Sequence, residues 1–539
     1  MKVLDLLVRH AGDGKLKLLA ATAGGGVLAA LVVTIVNAAS AAGVTLGSWW
    51  RAAIFVLVLG GMYFARRLAS KRLIDVFERA SADLRCRFAT CLREAPLRAL
   101  ETLGPRIERT TGDLAFLANT LESWVSGVQH LAFVLCITLA IGLMSGRALV
   151  LWCFTLGLLS VGLWTRLRRL RSALDELGGF SATLGSRVEQ MVDGFVQAKL
   201  DGRVADGLAD DIEGAAAALY GRQNVVEDIA TRAFVGGFAV LFLVGSGVAA
   251  FAPSATIGFD PAEAYEMVIF YELSWAPLFG VLTAAPEMAR AEAAARSVLD
   301  TIEMLPADDV GDERGDLPPP FATLELRQVE FAYDSAEASH DFVVGPLDLC
   351  IRRGELVLVT GGNGSGKTTM LKMLLGLYPP ARGHLAVDGL RLAPGDHGSW
   401  RDRFTTIMSH QHLFDRLYGL HEVTPERMAE LLARLGLTDI VAYRDQNFTD
   451  LALSTGQKMR LAMVAALLED RPVYVFDEWT ANQDPETTRW YYDVLLPELL
   501  AAGKTVVAVS HDDRFFDRAD HLVRMDQGRI VLDHREPRP

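Results

Sequence analysis

Eight residues, Gly361-Gly362-Asn363-Gly364-Ser365-Gly366-Lys367-Thr368, have the types and spacing to hold a chain of phosphates. Glycines let backbone N–H groups turn toward an anion, Lys367 reaches the β/γ-phosphates, and the Thr368 hydroxyl suits Mg²⁺. The apolar run 355–360 before the loop reads as a strand. The pattern after it, 369–375, reads as a helix whose N-terminus adds positive potential. A second cluster, Asp477-Glu478, ends the apolar run Val473-Tyr474-Val475-Phe476. A carboxylate at the tip of a buried strand can hold Mg²⁺, and the one beside it can polarise an attacking water as general base. Loop and acidic pair together predict a nucleotide site.

The elements that must carry this chemistry are of two kinds. The chain has 539 residues, 51% of them apolar and 22% charged, with mean hydropathy +0.23. That length exceeds one ordinary domain, and apolar blocks must alternate with charged ones, as in membrane spans joined to a soluble domain. A net charge of −13 argues against a nucleic-acid partner, which needs a basic face. The five cysteines, Cys86, Cys91, Cys136, Cys153 and Cys350, show no metal-type spacing and are expected to be buried free thiols. Met1-Lys2-Val3-Leu4 leads into a basic helix with no small-residue cleavage site, so no removable signal peptide is expected.

Six stretches of spanning length lie near 17–38, 49–69, 128–146, 148–165, 232–252 and 264–285. Basic residues flank them in a consistent pattern: Lys15 and Lys17, then Arg66 and Arg67, then Arg166 and Arg168, then Arg290 and Arg296. The positive-inside rule puts both ends and the two long connections in the cytosol, and the bilayer around the spans. The connections, roughly 70–127 and 166–231, keep a helical period with breaks expected near 103–106 and 200–203. Each break is a candidate short helix across a loop tip. Glycine groups at 24–26, 60–61 and 236–237 suit close helix packing, and Glu272 lies either at cavity depth or at the interface. An acidic, Pro-rich linker, 304–320, separates this all-α domain, 1–303, from an α/β domain, 321–539. In the second, apolar strands at 322–326, 473–476 and 505–509 alternate with helical stretches, which predicts a largely parallel sheet.

Between loop and acidic pair stands Leu453-Ser454-Thr455-Gly456-Gln457, opening a helix. Here the chain resembles the ABC ATPases, whose signature is Leu-Ser-x-Gly-Gln. The resemblance implies ATP and Mg²⁺, bound by Asn363, Gly364, Ser365, Gly366, Lys367, Thr368 and Thr369. It makes Asp477 a metal-site residue and Glu478 the catalytic base. Tyr333 looks like the aromatic that stacks on adenine, and Gln411 like the glutamine that contacts Mg²⁺ and the membrane domain. Asp484 matches the aspartate after the metal-site strand, and His511 the histidine that touches the γ-phosphate. In this family Ser454, Gly456 and Gln457 serve ATP held by another copy's phosphate loop. A homodimer with twelve spans is therefore implied, with the loop-tip breaks as coupling helices.

The six-span arrangement resembles the exporter-type ABC fold over the whole chain, in a bacterial inner membrane. A narrower likeness, carried by Trp479 and Gln483, is to exporters of cyclic, siderophore, lipopeptide and lasso or microcin-type peptides. Gln446-Asn447-Phe448-Thr449-Asp450 stands where general exporters have a Gly-Glu-Arg/Lys-Gly segment. No N-terminal peptidase domain is seen, so leader cleavage by this chain is not expected. A siderophore importer, a lipid or multidrug exporter and a regulatory ATPase that moves nothing remain the alternatives.

Overall fold

The structure, a computed structural model, describes residues 49–251, 261–306, 321–333, 342–393, 396–409, 411–420 and 423–535. Its contacts divide the chain into two units, residues 1–90 with 105–304 and residues 91–104 with 305–539. The first unit is helical. Its elements are α1 (Trp49–Glu94), α2 (Leu97–Asn119, shared between the units), α3 (Leu121–Met144), α4 (Gly146–Asp193), α5 (Phe195–Leu200), α6 (Gly202–Phe251) and α7 (Pro261–Met304).

Among the described residues, α3, α6 and α7 are long and apolar enough to cross a membrane, and Gly146–Val161 is a shorter apolar stretch. The expected span at 17–38 and the glycines at 24–26 lie outside the described residues. Residues 49–69 form the start of α1. On α3 a stripe of Leu131, Leu135, Leu139 and Leu143 is exposed, whereas Phe133, Ile137 and Ile141 on the other side are buried. A four-residue period of exposed leucines would be an aggregation hazard in water and is ordinary against lipid. The buried side meets Trp152, Leu241, Met267, Phe270 and Tyr271. Within that core Trp152 packs edge-on to Tyr271 at 5.0 Å, and the Tyr271 hydroxyl hydrogen-bonds Thr155 at 2.8 Å. Gly237 allows Trp275 to come so near that an added Cβ would sit 3.3 Å from its ring, while Gly60 and Gly61 meet nothing within 4 Å in the single chain. Glu272 is exposed there.

Three sequence expectations change. The helix runs through Leu103-Gly104-Pro105-Arg106, and the break falls at Ala95-Pro96 instead. Gly104 has no Cβ to meet the ring of Pro105, so α2 carries that proline inside it, whereas Pro96 stands directly before the first turn of α2, where its missing N–H costs no helix hydrogen bond. The second connection breaks twice, at Gly194 and at the extended Asp201, leaving α5 as a separate single turn and a half with Phe195, Val196 and Leu200 exposed. The cysteines are free but not fully buried: Cys86 and Cys153 are exposed and the other three are partly so, Cys136 packing against the helical core.

The second unit is an α/β domain to which residues 91–104 also belong. Its strands are β1 (Thr323–Ala332), β2 (Val343–Arg352), β3 (Leu356–Gly361), β4 (Arg382–Val387), β5 (Leu390–Arg391), β6 (Phe404–Ile407), β7 (Tyr443–Arg444), β8 (Asn447–Phe448), β9 (Val473–Asp477), β10 (Thr505–Val509), β11 (His521–Asp526) and β12 (Arg529–Arg535). Helix α8 (Lys367–Leu374) follows β3, and α9 (His397–Arg401), α10 (Pro425–Arg434), α11 (Thr455–Glu469), α12 (Pro485–Trp490) and α13 (Leu496–Ala501) fill the other connections. The larger sheet has the order β12-β11-β3-β10-β9-β6 and is parallel except for β12. A smaller antiparallel sheet has the order β2-β1-β4-β5.

Strands β9 and β10 are buried at every residue, as a parallel sheet covered on both faces requires. Alternation divides their side chains between two cores. Leu356, Leu358, Tyr474, Phe476, Val506 and Ala508 enter one, and Val357, Val359, Val473, Val475, Val507 and Val509 enter the other. Register then fixes the site, because Val509 pairs with both Val359 and Asp477. The loop after β3, the acidic pair after β9 and Ser510-His511 after β10 therefore open at one end of the sheet.

Candidate functional site

The phosphate loop is built by backbone conformations that only glycine adopts readily. Gly364 and Gly366 have φ of +75° and +97°, the second as the N-cap of α8. Lys367 is 5% exposed and donates from Nζ to the carbonyls of Gly361 and Gly362, both at 3.0 Å, so the ammonium lies across the loop it would share with phosphate. The Ser365 hydroxyl is buried without a hydrogen-bond partner. Buried polar atoms are normally satisfied, so an orphan here fits a ligand that supplies acceptors.

The metal position passes the same test. Asp477 is 1% exposed; its Oδ2 accepts from Thr368 Oγ1 and Ser409 Oγ, each at 3.2 Å, and its Oδ1 has no partner. Burial pushes this carboxyl above the ordinary carboxylate range, the Thr368 hydrogen bond opposes that, and the neighbouring Glu478 charge adds to it. A divalent cation would meet the orphan oxygen and remove the cost of the buried charge. Thr368 and Asp477 thus fit Mg²⁺, which when bound would offset charge on transferring phosphate oxygens.

Glu478 sits in the left-handed region, φ +55° and ψ +36°, a conformation that costs a non-glycine residue about 1–2 kcal/mol. The turn aims the carboxylate across the sheet end, where Oε1 accepts from His511 Nε2 at 2.8 Å. A carboxylate fixed by an imidazole, half open to solvent and next to the metal-site strand, can take a proton from water. The two groups line a cavity of about 350 Å³ with Thr480, Gln483, Ser510 and Arg514.

The remaining expected residues lie as follows. Tyr333 is partly exposed, and its hydroxyl hydrogen-bonds Thr369 Oγ1 at 2.8 Å, which puts the ring beside the first turn of α8. Asn363 is exposed on the loop. Ser454 caps α11 reciprocally with Gln457: Ser454 Oγ accepts from the Gln457 N–H at 3.3 Å, and Gln457 Oε1 accepts from the Ser454 N–H at 2.9 Å. Gly456 is pressed against the chain after Glu478, where an added Cβ would be 2.6 Å from the Asn482 carbonyl oxygen. Asp484 caps α12, accepting from the Thr487 N–H at 2.8 Å and hydroxyl at 2.7 Å, and the backbone bond foremost holds its carboxyl below the ordinary range. Gln411 turns its Oε1 back to the Met408 N–H at 3.2 Å, and from this segment it is the Ser409 hydroxyl that joins Thr368 on Asp477. Ser409 is a further residue of this site, and its one signal in the sequence is a small hydroxyl just beyond β6.

Residues 344–481 match the ABC transporter family. The ATP-binding protein SyrD of Pseudomonas syringae pv. syringae is 36% identical over 56% of this chain and 55% of that protein. An ATP-dependent lipid A-core flippase of Alkalilimnicola ehrlichii is 31% identical over 48% of this chain and 46% of its own. A probable syringafactin export ATP-binding/permease protein, SyfD, from Pseudomonas syringae pv. syringae is 31% identical over 39% and 34%. The chain thus spans about half the length of the curated relatives it matches, or less. A bacterial Atm1-family ABC exporter solved with ATP bound shares the fold over 98% of this chain and 95% of that one, with TM-score 0.73 at 18% identity. The segment 344–481 thus matches the ABC transporter family, and the chain as a whole has the fold of an ABC exporter.

Proposed function

We propose that two copies of this chain form an ATP-driven exporter of a peptide of cyclic, lasso, lipid-bearing or siderophore type across the bacterial inner membrane. The observation that carries the reading is the pairing of Glu478 with His511 at the sheet end that also holds Asp477 and the phosphate loop. It supports hydrolysis of ATP with Glu478 as base, His511 orienting it, and Lys367 and the loop N–H groups holding the phosphates. The side-chain hydrogen bonds of Ser454 stay within its own turn, and Gly456 bonds to Gln483. This supports a signature turn that serves another copy's ATP. The exposed apolar tip of α5 suits a coupling element, and the exposed leucine stripe of α3 suits lipid.

The peptide class rests on the likeness carried by Trp479 and Gln483 and is supported by the syringafactin-export relative; the lipid A-core relative favours a lipid reading instead. Inside-out vesicles separate the two. ATP-dependent uptake of a radiolabelled lipopeptide or cyclic peptide is expected, dependent on Glu478. Lipid-stimulated hydrolysis and lipid movement without peptide uptake would overturn the peptide reading. Hydrolysis with movement of neither would favour a regulatory ATPase.

A further inference from the structure

Trp479, directly after Glu478, is 1% exposed and joins two parts of the site that the reaction treats separately. Its indole Nε1–H donates to the Met459 carbonyl of α11 at 2.9 Å. That carbonyl lies one turn into the helix that Ser454 and Gly456 open. A second tie runs parallel to it: Gln483 Nε2 donates to the Gly456 carbonyl at 3.1 Å. Between the two, Asn482 touches the space where a side chain on Gly456 would lie. The stretch 479–483 is therefore fastened to the signature turn at both ends.

The ring of Trp479 continues the connection toward His511. It stacks on Tyr491 at 4.9 Å, and Tyr491 packs edge-on to Tyr492 at 4.9 Å. The Tyr492 hydroxyl donates to Ser510 Oγ at 2.7 Å, and Ser510 immediately precedes His511. All three aromatic side chains are at most 2% exposed, so none can shift without its neighbours. Glu478 is thus gripped from one side through Trp479 and from the other through His511.

We propose that Trp479 is a positioning residue that transmits movement of the signature turn to the Glu478 carboxylate of the same chain. The left-handed backbone of Glu478 is strained, and strain of this kind persists only where neighbours enforce it. The Trp479 and Gln483 hydrogen bonds are those neighbours. The inference rests on the reading of Glu478 as base and of Ser454 as serving another copy's ATP. Under that reading, a signature turn seated on nucleotide in one site sets the base of the other.

The test is steady-state ATP hydrolysis by the full chain in lipid nanodiscs, with Trp479→Phe beside the unaltered protein. Phenylalanine keeps a stacking ring and removes the N–H. The loss of one buried hydrogen bond predicts a fall in kcat of roughly three- to tenfold with KM for ATP unchanged, while Tm falls by only a few degrees and the protein stays folded at the assay temperature. Unchanged kcat would overturn the proposal, as would a fall in kcat that only follows the fraction of protein unfolded at the assay temperature, which marks a purely structural tryptophan. Should the Phe variant not fold, Gln483→Ala breaks the other tie and is read by the same criteria. An unaltered chain that hydrolyses no ATP would remove the base reading itself, which sets that failure apart from failure of Trp479 alone.

Discussion

Glu478→Gln is expected to lower ATP turnover by about two to four orders of magnitude while leaving ATP binding in place. A positioned general base contributes about 10²–10⁴ in rate, equivalent to roughly 3–5 kcal/mol of barrier. Glutamine matches the shape of the side chain but cannot take a proton. The backbone turn at 478 and the partnership with His511, 2.8 Å away, survive in altered form, so the fold around β9 should not change. The variant should hold ATP long enough for bound nucleotide to be recovered unhydrolysed by rapid filtration. Turnover equal to that of the unaltered protein would take Glu478 out of the chemistry.

Lys367→Ala is expected to act one step earlier. Hydrogen bonds to charged groups contribute about 1.5–3 kcal/mol, so losing this ammonium should weaken ATP binding roughly ten- to hundredfold. In the free protein Nζ also holds the Gly361 and Gly362 carbonyls at 3.0 Å, so the loop itself loses a clasp. Titration with a fluorescent ATP analogue reads the affinity, and a thermal melt of the same sample reads the loop. Affinity unchanged by the substitution would mean that the ammonium does not meet phosphate. The pair of variants divides the proposed site in two: the first is expected to change whether ATP is broken, the second whether it is held.

The parts of this site that were legible in the sequence are those whose chemistry is local. Glycines at 361, 364 and 366 announce a turning backbone, four apolar residues before Asp477 announce a buried strand, and Ser454 with Gln457 announces a helix cap. Sheet register then brings them together without further information, because parallel strands end at a common edge. What stayed hidden depends on approach through space. The Ser409 hydroxyl near Asp477, the Trp479 hydrogen bond to Met459 and the Tyr492 hydrogen bond to Ser510 join residues far apart in the chain. The helix break was misplaced for a smaller reason: Gly-Pro reads as a turn, yet Gly104 is the residue before proline that helix tolerates best. Asp484 shows a third case, in which a residue expected at the nucleotide is also engaged as the cap of α12.

The central claim is that one copy's signature turn and another copy's phosphate loop close on the same ATP. It is tested most directly by cysteine cross-linking between Ser454→Cys in one copy and Asn363→Cys in another. The background carries Glu478→Gln and serine in place of the native cysteines. An inter-chain disulfide that forms with ATP and is absent without it is the expected result. No ATP-dependent cross-link, together with full turnover by the unaltered protein sedimenting strictly as a monomer, would contradict the account.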